Sequence, residues 1–353
     1  MISSNFLKRH KVNVELTYKC SLVCPACPRQ TSWKDKNKKL VGEELSLESY
    51  TKLARYFKRI ILCGQLSDPL HHSQFHEILK ITNDHNVPEL AIHTAVSLPS
   101  MDFYKESFKL RPNNTQWVFG IDGLPKDSHK YRINQDGEKL FNVMVECAKS
   151  VTKPPIWQYI VFSYNEKDME EAEDIARKHG IRIQFLHSAR WNTWRSNTSP
   201  IEFKPTIGPK VVISKKSDVS NTTTTTTTTT TRPDSVINYD APLPIPYLNT
   251  SKKSALKPDC FEHRPFGTDA WGRLLPCCMA DDHGNYDEFM YKKLVEVSKI
   301  SDHDSIEDII FSEPWQIFLA NLEENEGLSH CHEVCSVDST PNNIILENGN
   351  KVL

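Results

Sequence analysis

Val12-Asn13-Val14-Glu15-Leu16-Thr17-Tyr18-Lys19-Cys20-Ser21-Leu22-Val23-Cys24-Pro25-Ala26-Cys27-Pro28 is the stretch on which the reading of this chain turns. Its opening, Val12 to Tyr18, has the β-branched and aromatic content of a strand. The remainder packs three cysteines into eight residues, and Pro25 and Pro28 stiffen the turn that carries them. Three is the informative number. A structural zinc or a closed electron-transfer cluster takes four protein ligands, whereas three thiolates leave one metal position open to a small molecule. The other reading of these residues is a zinc site that borrows a distant fourth ligand such as His71 or His72.

Outward from this loop, short apolar runs alternate with amphipathic ones, the pattern of repeated strand and helix units around a parallel sheet. Five further strands are expected: Ile60 to Cys63, Leu90 to Thr94, Trp117 to Asp122, Ile156 to Phe162 and Ile181 to Leu186. Helices fill the gaps. Ser46 can cap one whose Leu47, Tyr50, Leu53 and Phe57 share a face; Leu140, Val143, Met144 and Cys147 form another stripe, and Glu166 to His179 is closed by Gly180. Periodicity leaves a partial barrel, a complete barrel and an open doubly wound sheet as alternatives, each with its ligands beyond the C-terminal strand ends. The unusual residues fall there: Cys20, Cys24 and Cys27 after the first strand, Gly64 to Pro69 after the second, Asp122 and Gly123 at the end of the fourth.

The composition agrees with a folded enzyme-sized chain. It has 353 residues, 38% of them hydrophobic, and 43 Lys plus Arg against 45 Asp plus Glu. The resulting charge of -2 gives no global field for nucleic acid or an anionic membrane. No run approaches the roughly 18 apolar residues of a membrane span, and no signal-peptide h-region precedes Tyr18, so a cytoplasmic protein is expected. Ten cysteines in such a compartment point to metal or redox chemistry rather than disulfides. From about Val212 the pattern gives way to Ser, Lys and Asp, then ten threonines, Thr222 to Thr231, then Pro242, Pro244 and Pro246, a composition that reads as a linker.

The spacing of Cys20, Cys24 and Cys27 after a first strand resembles the CxxxCxxC signature of the radical S-adenosylmethionine superfamily. The resemblance implies a partial (βα)6 TIM-type barrel in which these cysteines hold a 4Fe-4S cluster. It also implies reductive cleavage of S-adenosylmethionine to a 5'-deoxyadenosyl radical that abstracts hydrogen from a substrate, and a low-potential electron donor such as flavodoxin or ferredoxin as a partner. Cys63-Gly64-Gln65-Leu66-Ser67-Asp68-Pro69 stands where relatives carry a Gly-Gly-Glu-Pro-like turn for the cofactor's amino group, so Gly64, Ser67 and Asp68 are the implied contacts, with Asp68 replacing the glutamate. Asp122 and Arg132 match the segment that reaches the ribose and the cofactor carboxylate. Ala26 departs from the larger residue often packed on the adenine.

Further on, Cys260 is followed after eleven residues by Gly272 and after four more by Cys277, with Cys278 adjacent and Cys331 and Cys335 near the end. This resembles the SPASM domain and its shorter twitch form, and implies a second, auxiliary 4Fe-4S cluster on Cys260, Cys277, Cys331 and Cys335. Cys278 in place of Cys277, and structural zinc with His330 or His332, stay open. The expected organisation is a barrel over 1–214, a linker over 215–254 and the auxiliary-cluster domain over 255–345. The implied substrate is a peptide or protein side chain, the alternatives being a small molecule and, in another class, a catalytically silent iron-sulfur or zinc interaction protein. Cys147 is read as core. Cys63 is either a hydrogen donor or a strand-end apolar residue. His71, His72 and His76 are expected exposed at a helix start. Lys34, Lys36, Lys38 and Lys39 form a solvated loop or a patch steering an acidic or peptide substrate.

Overall fold

Six parallel strands lie side by side in the order in which the chain makes them. They are β1 (Lys11–Val14), β2 (Arg59–Leu62), β3 (Glu89–Thr94), β4 (Thr115–Gly120), β5 (Ile156–Ile160) and β6 (Arg182–Ser188). This computed structural model describes residues 10–27, 29–30, 42–188, 191, 200–206, 255–261, 264–280, 288–336, 343–347 and 350–352. The threonine tract and the four lysines at 34, 36, 38 and 39 lie outside them.

Between the strands run α1 (Leu47–Tyr56), α2 (Phe75–Asp84), α3 (Met101–Leu110), α4 (Gly137–Ser150) and α5 (Met169–Lys178). Their starts are written locally: Ser46, Ser100 and Asp136 accept from the backbone N–H groups of Ser49, Phe103 and Lys139, satisfying donors that the first turn leaves open. Successive strand residues point to opposite faces. Val12, Val14, Ile60, Leu62, Leu90, Ile92, Trp117 and Trp157 therefore share one face and pack with the helices in a single core. Leu140, Val143, Met144 and Cys147 all enter it, as their spacing predicts.

A doubly wound sheet would reverse its strand order at a switch point, and this one does not. Nor do β1 and β6 pair to close a barrel. Each of these edges is taken by a strand from the C-terminal region: β7 (Phe266–Thr268) runs parallel to β1, and β9 (Asn343–Glu347) antiparallel to β6. The fold is mixed α/β, consistent with a partial TIM-like barrel. β7 turns back into β8 (Leu274–Leu275) through Gly272, whose φ of +73° only glycine adopts without strain. Behind the hairpin pack α6 (Phe289–Glu296), α7 (Ile306–Ile310), α8 (Glu313–Glu323) and α9 (Ser329–Val334). Trp315 is fully buried, stacks 6.2 Å from Phe266 and donates to Ser298 Oγ at 2.8 Å. No helix among the described residues is long and apolar enough to cross a membrane. β10 (Asn350–Val352) completes the edge by pairing with β9.

Candidate functional site

The cysteine loop leaves β1 at the C-terminal end of the sheet and is fastened from three directions. Val23 N–H donates to Ile133 O at 3.1 Å, Asn134 Nδ2 donates to Ser21 O at 3.2 Å, and Ser21 N–H donates to His71 Nε2 at 3.1 Å. Arg29 donates back to Tyr18 O at 2.5 Å, and Cys27 N–H to Cys24 O at 3.0 Å, so the loop coils on itself. The three thiols feel one another. Cys20 is pushed up to about 12, chiefly by burial, then by Asp68, with Cys24 and Cys27 adding to the effect. Burial also raises Cys27. Thiols in this state stay protonated until a cation arrives to offset the burial. Among the described residues no three His, Cys, Asp or Glu side chains are drawn in to the spacing of metal ligands.

The turn after β2 rests against this loop through Asp68 N–H, which donates to Lys19 O at 3.1 Å. Asp68 itself is buried, and its carboxylate accepts from Ala95 N at 2.7 Å, Leu70 N at 3.1 Å and the Thr94 hydroxyl at 3.0 Å. Glu15 is a residue that sequence pattern passes over. Its carboxylate is buried one residue beyond β1 and accepts from Gln65 N at 2.6 Å, Leu66 N at 3.1 Å and the Ser67 hydroxyl. Five residues before Cys20 and in the phase opposite to Val12, Val14 and Leu16, the residue carries no local signal of this role. Burial lifts Glu15 from 4.5 to about 7, outweighing the three hydrogen bonds that favour its charge.

Between about pH 4.5 and 7 the folded chain holds a proton on Glu15 that the unfolded chain has released, so this group makes stability fall as pH rises through that window. The full effect is about 3 kcal/mol by the conversion of pKa to free energy. Urea unfolding of the apoprotein at pH 5 and pH 8 is expected to give a smaller loss of stability in Glu15→Gln than in the native chain; equal losses would remove Glu15 as the cause.

Asp122 and Arg132, each expected as a cofactor contact, pair with one another. Arg132 Nε lies 2.8 Å from Asp122 Oδ2, with both side chains withdrawn from solvent, and Asp122 Oδ1 accepts from Ile160 N at 2.9 Å. Charge on Asp122 and then on Cys24 holds the Arg132 guanidinium protonated against its burial, which places this pair beside the cysteine loop. Asp122→Ala leaves a buried guanidinium without a counter-charge and is expected to cost about 3–5 kcal/mol. An unchanged denaturant midpoint would show the pair to be dispensable.

Two cysteines and three histidines need separate accounts. The Cys63 thiol faces the same space and is pushed up to about 12 by burial, then by Glu15 and Asp68. Cys147 is core. His72 is a correction: it is buried, with Nε2 2.9 Å from Leu45 O and Nδ1 accepting from Gln74 N at 3.1 Å. His71 is half-buried against the cysteine loop, and His76 stacks on Phe103 at 4.5 Å. Leu45, Ser21 and Phe103 are distant in sequence, so local pattern reads the histidines as exposed. Ala26 packs against a separate group of buried rings, Tyr131, Phe162 and Trp191, which fill the volume beside it.

Toward the C-terminus, Cys260, Cys277, Cys331 and Cys335 line a cavity together with Arg264 and His330. Cys331 is raised well above the ordinary thiol range, first by burial and then by Cys260, Cys277 and Cys335. Four cysteines from three separate stretches of sequence thus line one cavity. Cys278 shares a side-chain hydrogen bond with Cys277, the largest influence on it, and also hydrogen-bonds Asn13 of β1; of the adjacent pair it is Cys277 that lines the cavity.

Sequence comparison matches no family model and no curated protein. Solved structures do match. anSMEcpe with bound S-adenosylmethionine and the Cp18Cys peptide is similar at a TM-score of 0.50 and 11% identity, over 92% of this chain and 83% of that one. The chain shares that fold. BtrN in complex with S-adenosylmethionine and 2-DOIA aligns at 12% identity over 90% of this chain and 88% of its own, with a TM-score of 0.44. SuiB of Streptococcus suis bound to S-adenosylmethionine aligns at 11% identity and a TM-score of 0.40, over 50% of this chain; the chain spans only 38% of SuiB's length.

Proposed function

We propose that this protein is a radical S-adenosylmethionine enzyme. The observation that carries the reading is the placement of Cys20, Cys24 and Cys27 on one fastened loop at the C-terminal end of β1, within a fold shared with a structure solved with S-adenosylmethionine bound. The donor set fits the group. Three soft thiols suit an iron-sulfur cluster and leave one iron without a protein ligand. A 4Fe-4S cluster held there supplies the electron that cleaves S-adenosylmethionine to methionine and a 5'-deoxyadenosyl radical.

The chain's own residues do the rest. Gly64, Ser67 and Asp68 shape the turn for the cofactor's amino group, and Asp68 ties that turn to the cysteine loop and to β3. Arg132, held charged by Asp122, supplies a fixed cation for the cofactor carboxylate, a charge-assisted contact that costs no reorganisation on binding. A low-potential donor such as flavodoxin or ferredoxin is the partner this chemistry requires, and residues 1–214 are the barrel that carries it.

For residues 255–345, joined through 215–254, we propose an auxiliary 4Fe-4S cluster on Cys260, Cys277, Cys331 and Cys335. The cavity is lined by Cys277 and not by Cys278, which supports Cys277 as the ligand of that adjacent pair. Complete thiolate ligation leaves no iron for substrate, which assigns the site to electron transfer or to forming a wall of the substrate space. His330 on the same cavity favours one second reading, a structural zinc with mixed ligands. The substrate class we propose is a peptide or protein side chain, in line with the peptide present in the anSMEcpe structure.

Anaerobically reconstituted protein given dithionite and S-adenosylmethionine is expected to yield 5'-deoxyadenosine and methionine. A protein carrying its full iron that yields neither product would be a silent iron-sulfur module instead.

A further inference from the structure

Glu15 takes three hydrogen bonds from one turn, and the direction of those bonds has a geometric consequence. A peptide unit is planar and trans, so its C=O points opposite to its N–H. With the N–H groups of Gln65 and Leu66 turned inward onto Glu15, the carbonyls of Gly64 and Gln65 face the other way, next to each other. Among the described residues no donor reaches either carbonyl.

The turn can approach the carboxylate this closely only because residue 64 is glycine. A Cβ there would sit 2.5 Å from Ser67 O and 2.6 Å from Glu15 Oε1. The charge of another carboxylate, Asp269, adds to the raising of Glu15. Two open carbonyls backed by a buried acid attract a hydrogen-bonding cation, and a primary ammonium group has the donors to use both oxygens.

We propose that Glu15 is the positioning residue of an ammonium seat: it draws the N–H groups of the 64–67 turn inward and so presents the Gly64 and Gln65 carbonyls to the amino group of S-adenosylmethionine. Asp68, committed to Leu70, Thr94 and Ala95, braces the turn from its other end. The proposal rests on the radical S-adenosylmethionine reading and adds to it the residue that aims the carbonyls.

Equilibrium binding of S-adenosylmethionine and of its desamino analogue to cluster-reconstituted protein, without reductant so that nothing turns over, tests it. The native protein is expected to prefer S-adenosylmethionine by about tenfold or more, the scale of hydrogen bonds to a charged group. In Glu15→Gln that preference is expected to shrink at least about fivefold, because the side-chain amide cannot accept all three donors, while affinity for the analogue changes less than about twofold. A purely structural role would weaken both ligands alike. Ser67→Ala, which removes one bond and leaves the acid in place, is expected to move the preference the same way by a smaller factor, and it decides the matter where Glu15→Gln fails to fold. An unchanged preference in a variant that still binds overturns the role of Glu15. A native protein that binds neither ligand overturns the cofactor reading itself.

Discussion

Reductive cleavage of S-adenosylmethionine is expected to fall to background in each of Cys20→Ala, Cys24→Ala and Cys27→Ala. The three side chains act as one unit, since a cube held by two thiolates has two uncommitted irons and is lost on reduction or gel filtration. The loop is expected to survive the change, because the bonds Val23 to Ile133, Asn134 to Ser21, Ser21 to His71 and Arg29 to Tyr18 do not use a cysteine side chain, although Cys20 Sγ also accepts from Leu22 N at 3.4 Å and the Cys27 thiol from Arg29 and Gln30 N–H. The variants should therefore match the native chain in far-ultraviolet circular dichroism and in apoprotein unfolding midpoint while losing all production of 5'-deoxyadenosine. Cleavage retained in one of them would release that cysteine from the ligand set.

Iron content carries the second large effect. With a cluster at each site the reconstituted protein is expected to hold about eight irons and eight sulfides per chain, from four of each in a cysteine-ligated cube. Removing Cys20, Cys24 and Cys27 together should halve both numbers and leave a cluster spectrum that added S-adenosylmethionine does not alter. Cys331→Ala combined with Cys335→Ala in that background should remove it. One zinc and no iron in the triple variant would make the C-terminal site structural, with His330 or His332 joining cysteines as ligands, and would leave the chemistry of the first site untouched.

How much of this was legible in the sequence differs from element to element. All six strands lie where alternation places them, but four stop short of their expected ends, β2 by one residue at Leu62 and the other three for tertiary reasons. β1 ends at Val14 instead of Tyr18 because Glu15 N–H turns to the Thr268 hydroxyl and Leu16 O takes Leu45 N–H. β4 stops at Gly120, and Asp122 bonds the neighbouring strand with its side chain. β5 stops at Ile160 because Asn165 caps Phe162 N–H at 2.7 Å. The helix stripes were legible to the residue because a 3.6 period needs no partner to be read.

At the candidate site, Cys20, Cys24 and Cys27 stand out by spacing, whereas Asp122 and Arg132 are carried by resemblance and their mutual ion pair shows only in the fold. Glu15 does not stand out, since a lone acid in a strand is ordinary until the turn 50 residues away closes over it. The meeting of Cys260 with Cys331 and Cys335 was likewise carried by resemblance rather than by any local signal.

The parallel pairing of β7 with β1 sets a schedule for making the molecule. The Glu15 N–H finds its acceptor 253 residues later, on Thr268. At roughly 5–20 residues per second, a ribosome needs about 13–50 seconds to deliver that partner. For that interval the first strand, with the three cysteines following it, has one edge unpaired and open to other nascent chains. Slowing translation upstream of Phe266 should lengthen the exposure and raise the aggregated fraction, while supplying residues 255–353 as a separate polypeptide during synthesis should lower it.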